Sequence, residues 1–582
     1  MKKLFIIIFW FISLSLSATT YYCATTGSDV TGDGSIGNPW KDPEFGCRHL
    51  IAGDTLFIRA GTYLGVNPSG TEQNMLKIDG DDADFPDGTA ANPIVVMNYN
   101  NERVIFNGAN ISSAGSMYGI YLYNVKYWYI IGLEVNGMLE KLSPYTIPKA
   151  MFLQTTQNCR VERCKFHDNA GYGLKIYGFV TKNNLVINCD SYNNFDLNNP
   201  FPGANADGFS ASSTDVADTN YFTGCRAWNI SDDGFDFFSS DGVNIADKCW
   251  SWGNGQGAGG AGNGFKIGGE SDNPTASYAR VLTNCIAYRN EAQGFHGNEL
   301  DFPIKIYNSV SYLNGYRGFN FFDTGGGGSI YKNNIADANY TFYVDDPIKW
   351  DVGFLLTDDQ SYNSWNIEPQ ADYDNGTFWL ARTDIVSADQ FVSLDSTGLS
   401  GARQADGSLP VLTFLHLKEG SVYIGVGVGV GLLYDGDGNL WSQTAPSLGA
   451  FEYDAEEPGE PPTVPEVSTT AITTYNAYQA TVGGTIVSNG GGTISAAGVC
   501  WNTTINPTTA NSKITSSAIT GAFSGILYRT LLPGTTYHIR AYTTNETGTS
   551  YGSDVAFTVP SYAVMKNGTK IYKYGTKTLI YK

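Results

Sequence analysis

Basic residues are scarce in this chain: lysine and arginine number 35 against 56 acidic residues, for a net charge of −21. Nucleic-acid backbones are gripped by clustered cations, so nucleic acid is excluded as a partner. The same deficit opposes an acidic ligand unless a bound cation inverts the local field. Helix-forming periodicity is also scarce. Charged residues make up only 16% of the chain, while Gly, Asn, Ser, Thr and Tyr are plentiful, a composition suited to short strands and turns. Past the opening segment no apolar run is long enough to span a bilayer. That opening has Met1-Lys2-Lys3, an apolar stretch from Leu4 to Leu16 and small residues ending at Ala18. It reads as an export signal over residues 1–18, so a secreted protein without a transmembrane segment is expected. Cys23 follows Tyr21-Tyr22, which argues against a lipid anchor.

The nine cysteines are an odd number for an exported chain. Cys23 with Cys47, and Cys159 with Cys164, remain open as pairs. Most of the others belong to a repeat. Cys164-Lys-Phe-His-Asp-Asn is followed by Cys189-Asp-Ser-Tyr-Asn-Asn, Cys225-Arg-Ala-Trp-Asn, Cys249-Trp-Ser-Trp-Gly-Asn and Cys285-Ile-Ala-Tyr-Arg-Asn. Ser309 and Asn334 open two further units, and the steps are 25, 36, 24, 36, 24 and 25 residues. Each unit is strand, turn, strand, and none can bury its apolar side alone. The units must therefore stack as a parallel solenoid, with coils about 4.8 Å apart. The cysteines then form an inward ladder of small apolar side chains.

A second ladder is Gly followed by a bulky apolar residue, aromatic in all but the first, at Gly173-Leu174, Gly208-Phe209, Gly234-Phe235, Gly264-Phe265, Gly294-Phe295 and Gly318-Phe319. If the bulky residue points inward, alternation sends its neighbours outward. One outward column reads Tyr172, Asp207, Asp233, Asn263, Gln293, Arg317. The other reads Lys175, Ser210, Asp236, Lys266, His296, Asn320. The two long steps place insertions as loops beside these columns.

The fold expected is all-β: a parallel β-helix over residues 19–454, then a small β-sandwich. Residues 455–467, AEEPGEPPTVPEV, are an acidic Pro-rich linker. Residues 468–560 read as the sandwich, with Tyr537 placed for a tyrosine corner. The tail, 561–582, carries KNGTK and KYGTK with no role that composition supplies.

The ladder gathers Asp207, Asp232, Asp233 and Asp236 beside Lys266. Four carboxylates in one patch repel each other until they take up protons or bind a cation. An all-oxygen donor set on a rigid wall suits Ca²⁺. That constellation fits β-elimination on a polyuronate. The cation draws charge through the carboxylate at C6, and a base takes the neighbouring C5 proton. A lysine of ordinary pKa, about 10.4, is charged at neutral pH. The metal would lower that value and the empty aspartates would raise it.

These residues resemble polysaccharide lyase family 9, the pectate lyases. The matching run is Asn205-Ala-Asp207-Gly-Phe, Ser231-Asp232-Asp233-Gly-Phe-Asp236, Trp250-Ser-Trp252-Gly-Asn and Gly262-Asn-Gly-Phe-Lys266-Ile-Gly-Gly. The resemblance spans residues 20 to 454, including the opening TTGSDVTGDGSIGNPW and the closing ADGSLP and APSLGAFE. It implies a right-handed parallel β-helix of ten coils. It also implies calcium at Asp207, Asp232, Asp233 and Asp236, Lys266 as the catalytic base, and pectate as an acidic polysaccharide substrate. Two departures stand out: His296 where the family carries an acid, and the glycine-rich insertion from Gly253 to Gly262. Lys175, Arg289 and Arg317 are candidate cations for substrate carboxylates. The C-terminal module resembles fibronectin type III domains, lacks an obvious platform of Trp residues, and reads as a spacer. A monomer is expected.

Two rivals remain. An inverting polygalacturonase uses carboxylates about 6.5–9.5 Å apart as acid and base, but here Lys266 stands where a metal-assisted lyase wants a base. A non-catalytic solenoid would bind glycan on structural calcium and leave its length unchanged.

Overall fold

The computed structural model describes residues 18–581 except 66–71, 112–115, 140–146, 197–201, 214, 217, 270–273, 275–277, 322–326, 340–349, 356, 367–369, 375–376, 382–386, 454–463, 473–478, 491–493, 517–519, 529–530, 533, 546, 561–563, 567–568 and 575–576. The expected export signal, save Ala18, and most of the expected linker lie outside the described residues. The chain divides into two compact units, residues 1–453 and 454–582.

The first unit is a parallel β-helix. Each turn visits three sheets in a fixed order, as in Leu185–Ile187, Asp190–Tyr192 and Phe209–Ser213. The first sheet has eleven strands, from Thr20–Cys23 to Ile330–Lys332. The third has ten, from Gly61–Leu64 to Ile335–Asp337, which sets ten full turns. The sheet that carries the outward columns, here the site sheet, has twelve. It runs in parallel from Glu72–Asp79 to Trp350–Leu355 and ends in an antiparallel hairpin of Gln370–Asp374 and Thr377–Ala381. Short helix Pro43–Cys47 lies against the first turns. Asp42 caps it, accepting the Glu44 N–H, and Pro43 supplies a fixed φ at its start.

Register is set from inside. Phe209, Phe235, Phe265, Phe295 and Phe319 are Cα partners in successive strands. Their rings stack with centroids 5.1, 4.7, 4.9 and 4.7 Å apart, and all five are fully buried. Burial of one such ring stabilises by roughly 1.5–3 kcal/mol, and each stacked pair adds about 0.5–1.5 kcal/mol. A one-residue slip would turn the whole column outward.

The cysteine ladder sits at the bend between the first and third sheets. All nine cysteines are buried free thiols, so the pairings left open for Cys23 with Cys47 and Cys159 with Cys164 are not made. Each ladder thiol donates to two carbonyls. Cys225 Sγ reaches Val186 O at 3.3 Å and Thr223 O at 3.6 Å, and Cys249 Sγ reaches Phe222 O and Asp247 O at 3.5 and 3.4 Å. Five residues after each unit's start, the repeated asparagine forms a further ladder. Asn254 Nδ2 donates to Asn290 Oδ1 (2.8 Å), Asn290 to Asn314 (2.9 Å) and Asn314 to Asn339 (2.9 Å).

The expectation that coils fill the unit to its end fails after residue 355. Residues 387–453 have little regular structure and lie along the outer face of the third sheet. Phe391, Leu399, Phe414, Tyr423 and Phe451 pack on Trp250, Ile286, Tyr288, Val310 and Tyr312. A buried clamp fixes this strap: Arg226 and Arg403 both bind Asp190 (2.7 Å each), and Arg226 Nη1 donates to Leu399 O at 2.8 Å. The strap carries no Gly-Phe or Cys repeat, which is why it does not coil.

The second unit is a β-sandwich of antiparallel sheets. One has three strands, Glu466–Thr469, Gln479–Ser488 and Gly521–Tyr528. The other is built around Ala496–Asn502 and Thr536–Thr544. Tyr537 Oη accepts the Leu532 N–H at 3.0 Å, the expected corner. The KNGTK and KYGTK tail forms three antiparallel strands, Val564–Lys566, Thr569–Tyr574 and Lys577–Tyr581.

The ladder has a direct consequence for thiol chemistry. An alkylating reagent should label none of the nine cysteines in the folded protein and all nine in denaturant without reductant. Any thiol that reacts in denaturant only after reduction would show a disulfide and contradict the ladder.

Candidate active site

Three successive turns meet in one patch of the site sheet. Ser210, Asp236 and Lys266 are Cα partners, and His296 and Asn320 continue the column. In the neighbouring column the backbone ladder aligns Tyr172, Asp207, Asp233, Asn263, Gln293 and Arg317, since the glycine after each donates to the next member's carbonyl. Both outward columns expected from the sequence are present.

Asp207, Asp232 and Asp233 each place a carboxylate oxygen within 4.8 Å of the others, and all three residues are buried. Their immobility has visible causes. Asp233 Oδ1 accepts the Asn263 backbone N–H (2.7 Å) and side-chain Nδ2 (2.9 Å). Asp232 Oδ1 accepts the Ala261 N–H at 2.6 Å, and Asp207 Oδ1 accepts the Asp233 N–H at 3.3 Å. Asp236 stands beside this trio; its Oδ1 accepts the Phe238 N–H at 2.8 Å. Lys266 Nζ lies 3.3 Å from Asp233 Oδ2 and 3.6 Å from Asp236 Oδ2, with the Phe238 ring 5.1 Å away. Asp233 Oδ2 is buried and accepts no hydrogen bond.

The glycine-rich insertion that departs from the family pattern explains how Asp232 is held. Gly257 approaches Gly203 of the earlier insertion so closely that a Cβ on Gly203 would lie 2.5 Å from the Gly257 Cα. Gly259 N donates to Pro202 O, and Gly257 N to Ser231 O. A Cβ on Gly260 would sit 1.9 Å from Ser231 O. Only glycine admits this backbone contact, and the chain leaves it at Ala261, whose N–H anchors Asp232.

Charge in the patch is frustrated. Burial, then the neighbouring carboxylates, push Asp207 well above the usual range and Asp232 up to about 8. Asp233 is also raised, by burial first and Asp236 next, although Lys266 opposes this. For Lys266, burial pulls the pKa down, but Asp236, Asp233, Asp207 and Asp232 together raise it. Carboxylates and lysine alike are therefore pushed towards their protonated forms, which a cation among the carboxylates would oppose.

Of the other candidate cations, Lys175 and Arg317 lie in the outward columns. Lys175 Nζ is 4.3 Å from the Tyr172 ring centroid, and the Arg317 guanidinium is 4.3 Å from that of Tyr316. Arg289 is elsewhere: it follows the third-sheet strand Ile286–Tyr288, with its guanidinium over Tyr288. Sequence reading misses Lys149, the Cα partner of Tyr172 in the preceding strand. That strand, Lys149–Gln154, lacks the Gly-Phe mark, and only its inward Met151 and Leu153 betray its register.

The pH sign follows from these shifts. Raised folded pKa values on Asp207, Asp232 and Asp233 mean that folding favours their protonated forms. Ion-free protein then loses stability as pH rises from the unfolded value near 3.9 towards about 8. The contribution of Lys266 grows as those carboxylates ionise, and is lost only when pH passes its own raised pKa. In chelator, Lys266→Met should cost about 3 kcal/mol at pH 8 and distinctly less at pH 5, by denaturant unfolding. An equal loss at both pH values would show that Lys266 is not coupled to the carboxylates.

Known proteins match this chain along the helix. The family model described as Pel9A-like, right handed beta helix region, covers residues 21–334. Pectate lyase L of Dickeya chrysanthemi is 29% identical over 444 residues, covering 74% of this chain and 90% of its own. Pectate lyase PEL9 of Emericella nidulans is 28% identical over 439 residues, covering 69% and 93%. The crystal structure of pectate lyase Pel9A superposes with a TM-score of 0.57 at 26% identity, over 76% of this chain and 98% of that one. A rhamnogalacturonan lyase shares the fold, with a TM-score of 0.56 at 23% identity.

Proposed function

The chain belongs to the Pel9A-like right-handed β-helix family, and we propose that it is a secreted polysaccharide lyase that cleaves pectate, α-1,4-linked galacturonan, by β-elimination. One observation carries this reading. Lys266 Nζ is 3.3 Å from Asp233 Oδ2, a buried carboxylate oxygen that accepts no hydrogen bond, where Asp207, Asp232 and Asp233 converge. The similarity to pectate lyases over most of the chain supports the substrate class.

The donor set fits Ca²⁺: carboxylate oxygens only, held rigidly, one of them orphaned. Calcium held by Asp207, Asp232, Asp233 and Asp236 supplies, when bound, positive charge that draws electrons through the substrate's C6 carboxylate. Lys266 is the base. Its neutral amine takes the C5 proton, the C5–H electron pair becomes the C4–C5 double bond, and the C4–O bond breaks. With the aspartates uncompensated, Lys266 is held protonated. It becomes basic only as their charge is offset or the pH rises, so alkaline conditions favour the reaction. Asn263 and the Ala261 N–H keep Asp233 and Asp232 in place throughout. Arg317, two coils beyond Lys266, holds the carboxylate of a neighbouring sugar unit, whereas Lys175 stands three coils before Lys266. Arg289, on another sheet, has no part in this groove. The C-terminal sandwich, fibronectin type III-like in its corner, acts as a spacer on a monomeric enzyme.

Polygalacturonate incubated with the protein and calcium should yield the ultraviolet-absorbing unsaturated product, and chelator should abolish it. Lys266→Ala should lower kcat by about 10²–10⁴-fold, the range for a general base, while calcium still stabilises the fold. Calcium-restored activity persisting in Lys266→Ala would sink the base assignment. New ends without a double bond would mark a hydrolase, and unchanged chain length a binder.

A further inference from the structure

The turns that precede the aspartates carry an unusual concentration of cations and rings. The lysine column continues backwards from Lys175 through Phe152 and Tyr121 to Lys77, and the aspartate column from Tyr172 through Lys149 to Tyr118. These side chains belong to the outer wall, where Tyr118, Tyr121 and Phe152 form a cluster separate from the core. Tyr118 and Phe152 stack at 5.0 Å, and Tyr121 and Phe152 at 5.2 Å.

Lys149 Nζ lies within 6 Å of three ring centroids: Tyr118 at 5.6 Å, Phe152 at 5.8 Å and Tyr172 at 5.9 Å. Lys175 Nζ stands 4.3 Å from the Tyr172 ring. Among the described residues neither lysine has an acidic group within ion-pair distance, and the Lys149 ammonium donates only to Ile147 O, at 2.9 Å. Rings hold both ammonium groups in position without neutralising them. Lysines in a chain of charge −21 usually find a carboxylate, as Lys266, Lys126 and Lys332 do. Two half-buried cations side by side repel and carry a desolvation cost that an arriving anion would relieve. Burial and then Lys175 pull the Lys149 pKa down to about 8, consistent with that strain.

We propose that Lys149 and Lys175, caged by Tyr118, Phe152 and Tyr172, form a remote anionic subsite that seats a uronate carboxylate of the chain being cut. The inference rests on the polyuronate reading above and deepens it. Lys175 lies three coils from Lys266 in one column, roughly 14 Å at the ordinary strand spacing. A polyuronate lying along the columns reaches both points with sugar units several residues apart. The subsite therefore adds affinity for long chains and leaves the bond-breaking step alone.

The test uses the full chain carrying Lys149→Gln and Lys175→Gln together. On polygalacturonate KM should rise about tenfold or more with kcat within about twofold. A short oligomer that cannot span the two points should be cut as by the parent enzyme. Lys149→Arg with Lys175→Arg should restore most of the long-chain KM, which a merely structural role for the lysines would not explain. Equilibrium binding in the Lys266→Ala background keeps the two readings apart. There the double Gln variant should bind polygalacturonate about tenfold more weakly, whether or not the parent protein is a lyase. Methyl-esterified polymer should bind both forms equally. An unchanged long-chain KM and affinity, an equal loss on the short oligomer, or a fall in kcat at constant KM would each overturn the subsite.

Discussion

Everything in the site depends on the stacking of five phenylalanines inside the helix wall. Each ring is locked by the one above and below it, and the strand carrying it can be only two residues long where the aspartates and Lys266 lie, as in Phe235–Asp236 and Phe265–Lys266. Such short strands have little backbone pairing to fix them. The inward ring supplies the register, and the outward neighbour inherits its position. The preceding glycine is part of the device. A Cβ on Gly234 would meet Ser251 Oγ at 2.0 Å and Asn254 Nδ2 at 2.6 Å, so the wall turns there against the asparagine ladder with no room for a side chain.

The same stacking makes the site legible in the sequence. Residues repeated at constant offset from a Gly-Phe mark align by counting, so Asp207, Asp233, Asp236 and Lys266 come together from three turns without knowledge of the sheets. Counting fails where the mark is absent. Lys149 precedes the first Gly-aromatic pair. Arg289, a candidate cation by charge alone, lies at no offset from the mark and follows a strand of another sheet. The strap over residues 387–453 is hidden for a different reason. It covers the outward aromatics Tyr288 and Tyr312, and a side chain exposed on an isolated coil carries no sign that a distant segment will bury it. Likewise the glycine-rich insertion reads as a plain loop; its value is backbone contact, which composition does not specify.

The outer wall divides electrostatically along its length. Towards the early turns, Lys149 and Lys175 are held by rings. Towards the middle turns, four aspartates surround Lys266. In the later turns, Gln293, His296, Asn320 and Arg317 follow. Under the proposed function, this division lets a chain of strongly negative charge accept a polyanion. On that reading cations would do this on one side, and on the other the carboxylate cluster would need a bound metal ion to reverse its sign. Aromatic cages suit the first role because they fix an ammonium without cancelling its charge, as a paired acid would.

The aspartate column itself separates structural need from chemical use. Along it, one side-chain oxygen in each turn accepts the backbone N–H of the next. Asp207 Oδ1 takes that of Asp233, Asp233 Oδ1 that of Asn263, Asn263 Oδ1 that of Gln293, and Gln293 Oε1 that of Arg317. Neutral amides perform this service in the later turns at no electrostatic cost. Aspartate at 207 and 233 performs the same service and adds a second oxygen and a charge, which at 233 meets Lys266. At Asp233 that second oxygen is buried 3.3 Å from the Lys266 ammonium, an ion pair that offsets part of its desolvation. Under the proposed function, aspartate at 233, one turn before Lys266, supplies both a partner for the lysine and an oxygen for a cation.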